Sequence, residues 1–418
     1  MKKILFVINT LSRAGAETAL LALLRKLSET RAKEELQLYL FVLLGQGELA
    51  SQLPLGVQLL NKSFCKESVL TKKGRRALAR TSLSGFFRGG GFFRKMAYTV
   101  RTLAGMLRRG RVQTDKLLWR VISDSAPRLD MEFDLAVAYI EGGSAYYTAD
   151  HVKAKTKATF VHIDYPSAGY TRDMDQGCWA GFQKIFAVSE ETAQAFIQFY
   201  PEYADRVEVF PNFVDQQLIR VRSREPGGFS DGYKGLRLLT VGRLTHQKGL
   251  EVSVEAMGLL KDWGVAARWY VLGEGDRRRA LEAKIAALGL QNDFVLLGAV
   301  ENPYPYYAQA QVYVHATRFE GRSIAIQEAM TLGLPVVASD RSGNREQLEP
   351  GVDGLLCPLE PHAIAKTLRD LLADEERRRA LGAAAAGRQT GDGQERRILR
   401  LLEDRKDGEG IADHYSSL

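Results

Sequence analysis

The chain has 418 residues, 45% of them hydrophobic, and a formal net charge of +8 at pH 7. This length exceeds what one ordinary core organises, so two domains are expected. The longest apolar run, residues 36–44, is far too short to span a bilayer. Three distant cysteines, Cys65, Cys178 and Cys357, exclude a disulfide framework or a zinc site, and we expect a cytoplasmic protein.

Alternating strands and helices are predicted in the first half of the chain. Residues 3–8 are apolar, a turn containing Gly15 follows, and an amphipathic helix extends to about Leu27. Further strands are predicted at 38–44, 57–60, 133–140, 156–162, 184–189 and 207–210. Apolar strands that alternate with helices predict a parallel sheet covered on both faces, and we assign residues 1–215 to a first Rossmann-like domain.

A basic insertion, residues 62–128, interrupts this pattern. Its part from 62 to 120 holds 16 Lys/Arg and two acids, a net +14, so the other residues carry −6. The segment also contains Gly85-Phe86-Phe87-Arg88 and Gly91-Phe92-Phe93-Arg94. Three interpretations stay open: contact with an anionic membrane surface or a lipid acceptor, a solvated helical insertion, and nucleic-acid contact. We favour the membrane and expect no nucleic acid, because no nucleic-acid-binding motif accompanies the charge.

The strand and helix pattern restarts after a polar stretch, 216–235, which is rich in Arg, Gly and Ser and is predicted to be an interdomain linker. Strands are predicted at 236–241, 268–272, 294–297, 311–315 and 335–338. We assign 236–386 to a second Rossmann-like domain and 387–418 to a tail that packs back on the first. Ligands are expected in the cleft between two facing domains, at the carboxyl ends of strands.

Two carboxylates eight residues apart, Glu320 and Glu328, are the strongest functional signal. Gly321, Arg322 and Ser323 suit a helix start, and the run to Leu332 is helix-compatible before Gly333-Leu334-Pro335 ends it. The two acids would be separated by roughly 8 Å along the helix axis, with the free N–H groups of a helix N-terminus between them. The first acid would fit a sugar, the helix N-terminus a diphosphate, and the second acid a ribose.

Two glycine-containing turns follow strands in the same domain. Gly242-Arg243 and Lys248-Gly249 offer close backbone approach and two cations for a diphosphate, or form an ordinary turn with surface charges. Gly273-Glu274-Gly275 is half of a dinucleotide fingerprint, with Arg278 in place of the third glycine. We expect Gly273 to serve a close backbone approach and not a nicotinamide cofactor.

The first domain offers weaker candidates. Gly15 lies in the first strand-to-helix turn, where a main-chain N–H can reach a phosphate or the glycine simply turns the chain. His162 ends a strand, as a functional or a structural residue, and Glu141 follows another strand end and is assigned to the acceptor side. Asp173 and Asp175 form a DxD pair that could hold a divalent metal. Because the pair lies in a polar loop, we interpret it as two solvated acids and expect no metal.

These motifs resemble the retaining glycosyltransferases of family 4, which have the GT-B fold. The resemblance rests on the spacing from Glu320-Gly321 to Glu328-Ala329-Met330, on 241–244 with 247–249, on 333–339 and on 353–356. It covers most of residues 236–360. In the first domain Gly15-Ala16-Glu17, His162, 188–189 and 211–212 are similar to the family.

The resemblance implies a role for each candidate. Glu320 would bind the donor sugar and Glu328 the ribose, while Arg243 and Lys248 would neutralise the leaving diphosphate. The backbone N–H groups of Gly321, Arg322 and Ser323 would bind the same diphosphate, and Gly15, Gly273 and Leu297 complete the donor side. His162 would lie near the reacting carbon. No cofactor is required, because fixed cations and a helix terminus replace a metal.

The sequence therefore predicts a metal-independent retaining hexosyltransferase. It would use a UDP- or GDP-sugar and a lipid-linked or polysaccharide glycan, in the cytoplasm, peripheral on the inner face of the membrane. Two alternatives stay open. A nicotinamide-dependent oxidoreductase would need a full G-x-G-x-x-G near the first strand, where only Gly15 is present. A non-catalytic membrane- or nucleic-acid-binding protein would leave Glu320 and Glu328 unexplained.

Overall fold

The computed structural model describes residues 1–30, 35–67, 72–108, 114–165, 168–388 and 393–403. They form two compact units: residues 1–213 together with the C-terminal residues from 391 onward, hereafter unit 1, and residues 214–390, hereafter unit 2. Each unit is built on one parallel sheet. Among the described residues, no helix combines the length and the apolarity needed to cross a bilayer.

The sheet of unit 1 has seven parallel strands in the order β3-β2-β1-β4-β5-β6-β7. The strands are β1 Lys2–Ile8, β2 Leu36–Val42, β3 Val57–Leu59, β4 Glu132–Ala138, β5 Lys153–Val161, β6 Lys184–Ala187 and β7 Val207–Val209. The strand order runs outward in both directions from β1, so right-handed crossovers place helices on both faces. Five consecutive residues of β1, Ile4 to Ile8, are fully buried, as a central strand covered on both faces requires.

The described residues of unit 1 form nine α-helices, and the second to the fifth of these lie in the basic insertion between β3 and β4. They are α1 Gly15–Thr30, α2 Lys72–Phe87, α3 Phe92–Arg108, α4 Thr114–Leu117, α5 Trp119–Ser125, α6 Gly143–His151, α7 Arg172–Asp175, α8 Glu190–Phe199 and the C-terminal helix, numbered α17 in chain order, Gln394–Arg400. The C-terminal helix belongs to unit 1 because Arg397 donates to the Val209 carbonyl at 2.6 Å and Gln394 donates to that of Pro211 at 2.7 Å. Part of the insertion joins the core, since Val121 and Ile122 are buried.

Unit 2 has a six-stranded parallel sheet in the order β10-β9-β8-β11-β12-β13. The strands are β8 Leu236–Val241, β9 Ala267–Leu272, β10 Phe294–Gly298, β11 Val312–His315, β12 Val336–Ser339 and β13 Gly354–Cys357. The helices are α9 Gln216–Arg222, α10 Leu250–Asp262, α11 Arg278–Ala287, α12 Tyr304–Gln309, α13 Ile324–Thr331, α14 Ser342–Arg345, α15 Pro361–Ala373 and α16 Glu375–Gly387. A continuous apolar core fills one side of this sheet, around Trp269 and Leu368.

The predicted linker 216–235 is wrong, because these residues are part of unit 2. Residues 216–222 form α9, and the Arg222 carbonyl accepts a hydrogen bond of 2.8 Å from Asn302. Asp231 accepts from Arg268 at 2.6 Å and from the Tyr270 hydroxyl. A polar composition rich in Gly indicates a segment without its own core, but it does not distinguish a linker from a surface segment that docks through ion pairs.

The predicted strands begin and end within three residues of the observed ones, and one strand was missed. β13, Gly354–Cys357, pairs with β12 along its length, from Val336 with Gly354 to Ser339 with Cys357. Its four residues follow a turn and carry only a short apolar run, which is too little for a periodicity argument.

Candidate active site

The carboxyl ends of β8, β9, β10 and β11, with the loops and the helix α13 that follow them, carry the predicted donor-side residues of unit 2. This is the edge at which parallel α/β sheets bind ligands, because the strand-to-helix turns there expose backbone N–H groups and side chains. Glu320 is the centre of the arrangement. It is 13% exposed and forms an ion pair with Lys248, which is 17% exposed.

A buried histidine also holds Glu320. The His315 Nε2 atom lies 3.1 Å from Glu320 Oε2, and its Nδ1 lies 3.2 Å from the Tyr313 hydroxyl. Because burial lowers the pKa of His315, the ring is neutral and carries one proton. That proton belongs on Nε2, since a carboxylate can only accept, and Nδ1 faces the Tyr313 hydroxyl, which also lies 3.3 Å from the Val241 carbonyl oxygen.

The charge state of Glu320 follows from these contacts. Burial alone would raise the pKa of its carboxyl group, but the Lys248 ammonium and the His315 hydrogen bond outweigh burial and lower the pKa to about 2. Glu320 is therefore an ionised acid with a fixed position. Its pair of lone-pair acceptors suits the hydroxyl groups of a sugar.

The loop that carries Glu320 is joined to the loop that carries Lys248 by hydrogen bonds to backbone carbonyl groups. The Arg318 N–H donates to the Gln247 carbonyl at 2.8 Å, and the Gln247 side chain donates to the Phe319 carbonyl at 3.0 Å. The Thr317 hydroxyl donates to the Gln247 carbonyl at 3.0 Å. These bonds fix the distance between acid and cation before any ligand binds.

Glycine at position 273 permits two loops to approach one another. A Cβ atom there would lie 1.9 Å from the Gly242 carbonyl oxygen, and the residue has a φ of +149°. The expected close backbone approach is present, and it places Arg243 beside the site. Arg243 is exposed, and the described residues supply no ion-pair partner for it. Its guanidinium is therefore available to an anion.

The helix predicted between the two acids is α13. It begins at Ile324 after the N-cap residue Ser323, whose side chain makes no capping hydrogen bond, so the first-turn N–H groups remain available to an anion. The Glu320 and Gly321 carbonyls pack against Gly343, where a Cβ would lie 2.3 and 2.1 Å from their oxygens. This close packing fixes the segment that leads into the helix.

Glu328 lies inside α13 and is 7% exposed. Its Oε1 accepts from the Tyr304 hydroxyl at 3.1 Å and its Oε2 from the Tyr307 hydroxyl at 3.0 Å. Burial raises the pKa of Glu328 to about 7, although both tyrosine hydrogen bonds favour the ionised form. The two acids of the pair therefore differ in charge behaviour: Glu320 is ionised, and Glu328 titrates near neutral pH.

The remaining donor-side predictions occupy less defined positions. Leu297 lies in β10 and is 40% exposed. Arg322 is half-buried and interacts electrostatically with Glu346, while Ser323 is buried at the start of α13. The structure thus brings Arg243, Lys248, Gly273, Leu297 and 320–328 to one edge of the unit 2 sheet.

The unit 1 candidates lie together at the carboxyl edge of the other sheet. Gly15 is the exposed first residue of α1, after β1. Glu141 follows β4 and is 4% exposed, and its Oε2 accepts from the His162 backbone N–H at 2.9 Å. Burial raises the pKa of Glu141. Asn9, at the end of β1, donates to the Glu141 carbonyl at 3.1 Å and ties the two strand ends together.

His162 follows β5 with a fixed ring. Its Nε2 lies 2.9 Å from the Tyr139 carbonyl oxygen, which can only accept a hydrogen bond. Nε2 therefore carries the proton, and Nδ1 is unprotonated. Burial lowers the pKa of His162 to about 4, so the ring is neutral at pH 7. Because the Tyr139 carbonyl holds the only N–H of the ring, His162 can accept one hydrogen bond from a substrate at Nδ1 without adding charge.

The interpretation of the DxD pair as two solvated acids is wrong for Asp175. Asp175 is fully buried and accepts from the hydroxyls of Tyr146 at 2.8 Å and Tyr165 at 2.6 Å, with Tyr200 as the third donor. Only Asp173 is exposed, and it pairs with Arg101 at 3.5 Å. A helical turn, α7, directs the two acids in opposite directions, which the sequence spacing alone does not show.

Sequence reasoning missed the residues that hold the two acids. Tyr304 and Tyr307 lie three residues apart on α12 and so share one face, which is the only signal that could have indicated a common partner. Tyr313 and His315 are two residues apart on β11, so their side chains lie on the same face of the strand. Neither pattern identifies its partner, because the tyrosines reach Glu328 from more than 20 residues away and His315 reaches Glu320 only through the fold of the loop between them.

Comparison with known proteins finds glycosyltransferases similar to this chain. Residues 231–388, all within unit 2, match the family model described as Glycosyl transferases group 1. The chain is 36% identical over 134 residues to the amylovoran biosynthesis glycosyltransferase AmsK of Erwinia amylovora, which covers 30% of this chain and 33% of that protein. It is 28% identical over 239 residues to a Campylobacter jejuni N-acetylgalactosaminyltransferase named for a diphospho-undecaprenol substrate, with 57% and 60% covered. The matches thus span about a third to three fifths of these relatives' lengths.

Solved structures show the fold over the whole chain. The crystal structure of Anabaena HepE in complex with UDP has a TM-score of 0.60 and 17% identity, with 98% of this chain and 99% of that one covered. Sucrose-phosphate synthase of Thermosynechococcus elongatus has a TM-score of 0.59 and 15% identity, with 98% of each chain covered. The two Rossmann-like domains predicted from the sequence are confirmed, and they match the GT-B fold.

Proposed function

We propose that this protein is a metal-independent retaining glycosyltransferase of family 4. It moves a hexosyl group from a nucleotide-diphosphate sugar to a hydroxyl of a lipid-linked or polysaccharide glycan. One observation carries the proposal: an ionised, fixed Glu320, two cations and an uncapped helix N-terminus meet at one edge of unit 2. Each fits one part of such a donor.

Three parts of the donor are assigned to the side chains that suit them. Glu320 accepts hydrogen bonds from the sugar hydroxyls. Arg243, Lys248 and the first-turn N–H groups of α13 bind the diphosphate, because positive charge there stabilises the leaving group. Glu328 accepts from the ribose hydroxyls with the lone pairs that Tyr304 and Tyr307 leave unused.

The transfer keeps the anomeric configuration. The bond between the anomeric carbon and the phosphate oxygen breaks, and the acceptor oxygen bonds to the same face of that carbon. The acceptor's proton passes to the departing phosphate oxygen. The protein contributes positions and electrostatic stabilisation, and neutral His162 accepts a hydrogen bond from the substrate at Nδ1.

Fixed cations replace a metal in this proposal. Asp175, the buried half of the DxD pair, is occupied by tyrosine hydroxyls and so cannot ligate an ion without losing them. The donor nucleotide proposed first is uridine, because HepE was crystallised with UDP. A lipid-linked acceptor is supported by the diphospho-undecaprenol in the name of the Campylobacter relative. We place the reaction in the cytoplasm, in line with three free cysteines.

Turnover of activated sugars by matched variants tests the assignment. Arg243→Ala is expected to lower donor hydrolysis about 100-fold, because the variant lacks one of the two cations that stabilise the leaving diphosphate. Arg279→Ala, at another exposed arginine, on α11, should leave donor hydrolysis unchanged. Near-normal turnover by Arg243→Ala would refute the assignment of Arg243 to the diphosphate. A product with an inverted anomeric configuration, seen by NMR, would refute the retaining mechanism.

A further inference from the structure

A helical hairpin stands out in the basic insertion of unit 1. It consists of α2 and α3 with the connection Arg88-Gly89-Gly90-Gly91, hereafter the α2–α3 hairpin. The inner side of α3 buries Lys95, Tyr98, Thr102 and Met106. The Lys95 ammonium donates to the Gly85 carbonyl at 2.8 Å and to that of Arg88, so it caps the last turn of α2. The hairpin is therefore held from within, and its outer side is not needed for its shape.

The outer side of α3 is a second apolar face. Phe93 is 86% exposed, Met96 40%, Val100 60% and Leu107 60%. At about 100° per residue, their spacing places all four within one third of the helix circumference, opposite the buried stripe. A surface helix ordinarily has one apolar stripe and a polar outer face. This helix exposes apolar side chains where charged ones are expected.

The end of the hairpin carries three exposed phenylalanines, Phe87, Phe92 and Phe93, hereafter the aromatic tip. Phe87 and Phe92 stack with ring centroids 5.4 Å apart, and Phe92 meets Phe93 edge-on at 5.5 Å. Phe87 is 79% exposed. The glycines at 89, 90 and 91 have φ values of +68°, +71° and +68°, which lets the chain reverse and leave the rings outermost.

The charge of the hairpin has one sign. Residues 72–108 contain ten Lys/Arg and no Asp or Glu. Along α2 the exposed Arg76, Arg80, Leu83 and Phe87 follow one another on a single face, so on this face the two arginines lie toward the base and the apolar residues toward the tip, where Arg88 is also exposed. This order matches the layers of an anionic bilayer, with phosphates outside and acyl chains inside.

The distribution favours a lipid surface over other partners. Exposed aliphatic side chains such as Leu83, Val100 and Leu107 gain nothing from a phosphate backbone or from stacking on bases. An identical hairpin on a second copy would bring ten further positive charges against these. An anionic bilayer offers both an apolar layer and opposite charge.

We propose that the α2–α3 hairpin is a membrane-contact surface. Its aromatic tip and the outer face of α3 enter the boundary between headgroups and acyl chains, and its arginines contact the lipid phosphates. The inference deepens the acceptor side of the proposed function, because a lipid-linked acceptor lies at such a surface. It does not depend on the donor site, and its test uses no sugar transfer.

Flotation of the full chain with vesicles tests the proposal. The wild type should float with vesicles of phosphatidylglycerol and phosphatidylethanolamine, and much less with phosphatidylcholine alone. Phe87→Ser with Phe93→Ser should weaken binding about tenfold or more, because two aromatic rings no longer leave water. Arg76→Gln with Arg80→Gln should also weaken binding, by about tenfold, and added salt should reduce wild-type binding.

Leu55→Ser provides the matched control, because Leu55 is 94% exposed in the same unit and lies outside the hairpin. Its vesicle binding should equal that of the wild type. All substituted side chains are exposed, so melting curves should be unchanged, which separates lost binding from lost folding. Absence of flotation by the wild type, or equal flotation of the phenylalanine variant, would overturn the proposal. Dimerisation that the phenylalanine variant abolishes, without vesicle binding, would assign the surface to self-association instead. Failed sugar transfer with retained flotation would count against the proposed function alone.

Discussion

The ion pair between Lys248 and Glu320 has a consequence for stability that depends on pH. Its partners hold the pKa of Glu320 at about 2, against an ordinary value of 4.5. At about 1.4 kcal/mol per pKa unit, this gap contributes about 3 kcal/mol to stability. A lowered pKa stabilises the fold above the unfolded-state pKa, and this contribution is lost as the pH falls through the folded-state value.

The substitution Lys248→Met should reverse this relation. Burial then dominates and raises the pKa of Glu320, so the variant loses stability as pH rises. Because the wild-type contribution is already present at pH 5, we expect a deficit of about 3 kcal/mol there, and a larger deficit near pH 8, where the variant also holds an unpaired buried charge. Urea unfolding of both proteins across this range measures the difference, with the transition of unit 2 followed separately.

Two further variants make the result specific. Lys261→Met breaks the exposed pair with Asp293, which is 2.8 Å long, and should cost under about 1 kcal/mol at every pH. Adding Glu320→Gln to Lys248→Met removes the unpaired charge and should recover most of the stability at pH 8. A deficit of Lys248→Met that does not change with pH would refute the reasoning.

Three other substitutions test the remaining contacts. Glu328→Gln should stabilise unit 2 by up to about 3 kcal/mol at pH 8, because a pKa raised to about 7 costs stability as pH rises, and the gain should vanish near pH 4 in urea unfolding. Gly273→Ala should cost about 3 kcal/mol in the same assay, since its Cβ would meet a carbonyl oxygen at 1.9 Å, whereas Gly289→Ala, at a φ of +63° in open space, should cost about 1 kcal/mol. Asp175→Ala should lower the stability of unit 1 by about 3 kcal/mol because three tyrosine hydroxyls lose their acceptor, while Asp173→Ala should be neutral in thermal melts. Equal effects of the paired substitutions would contradict these accounts.

The sequence predicts the sheets well because their strands are buried on both faces. Residues 4–8 of β1 and the strands of unit 2 are short apolar runs between turn residues. Such runs are typical of strands buried on both faces. Helix α13 was also predictable, since Ser323 before it and Gly333 after it mark its ends. Local chemistry decides these features.

Features that depend on distant partners could not be predicted. Asp175 looks like a surface acid until Tyr146, Tyr165 and Tyr200 are brought around it by three different segments of the chain. The segment 216–235 looks like a linker until Asp231 meets Arg268 and Tyr270 of β9. In the candidate site, the acids and cations were visible in the sequence, but the histidine and tyrosines that fix their charge were not.

A crystal structure with an intact UDP-sugar tests the central claim most directly. The account predicts the diphosphate at the first turn of α13 within hydrogen-bond distance of Arg243 and Lys248, the sugar hydroxyls on Glu320 and the ribose on Glu328. A nucleotide-sugar bound elsewhere in unit 2, or one with its phosphates away from these cations, would contradict the account.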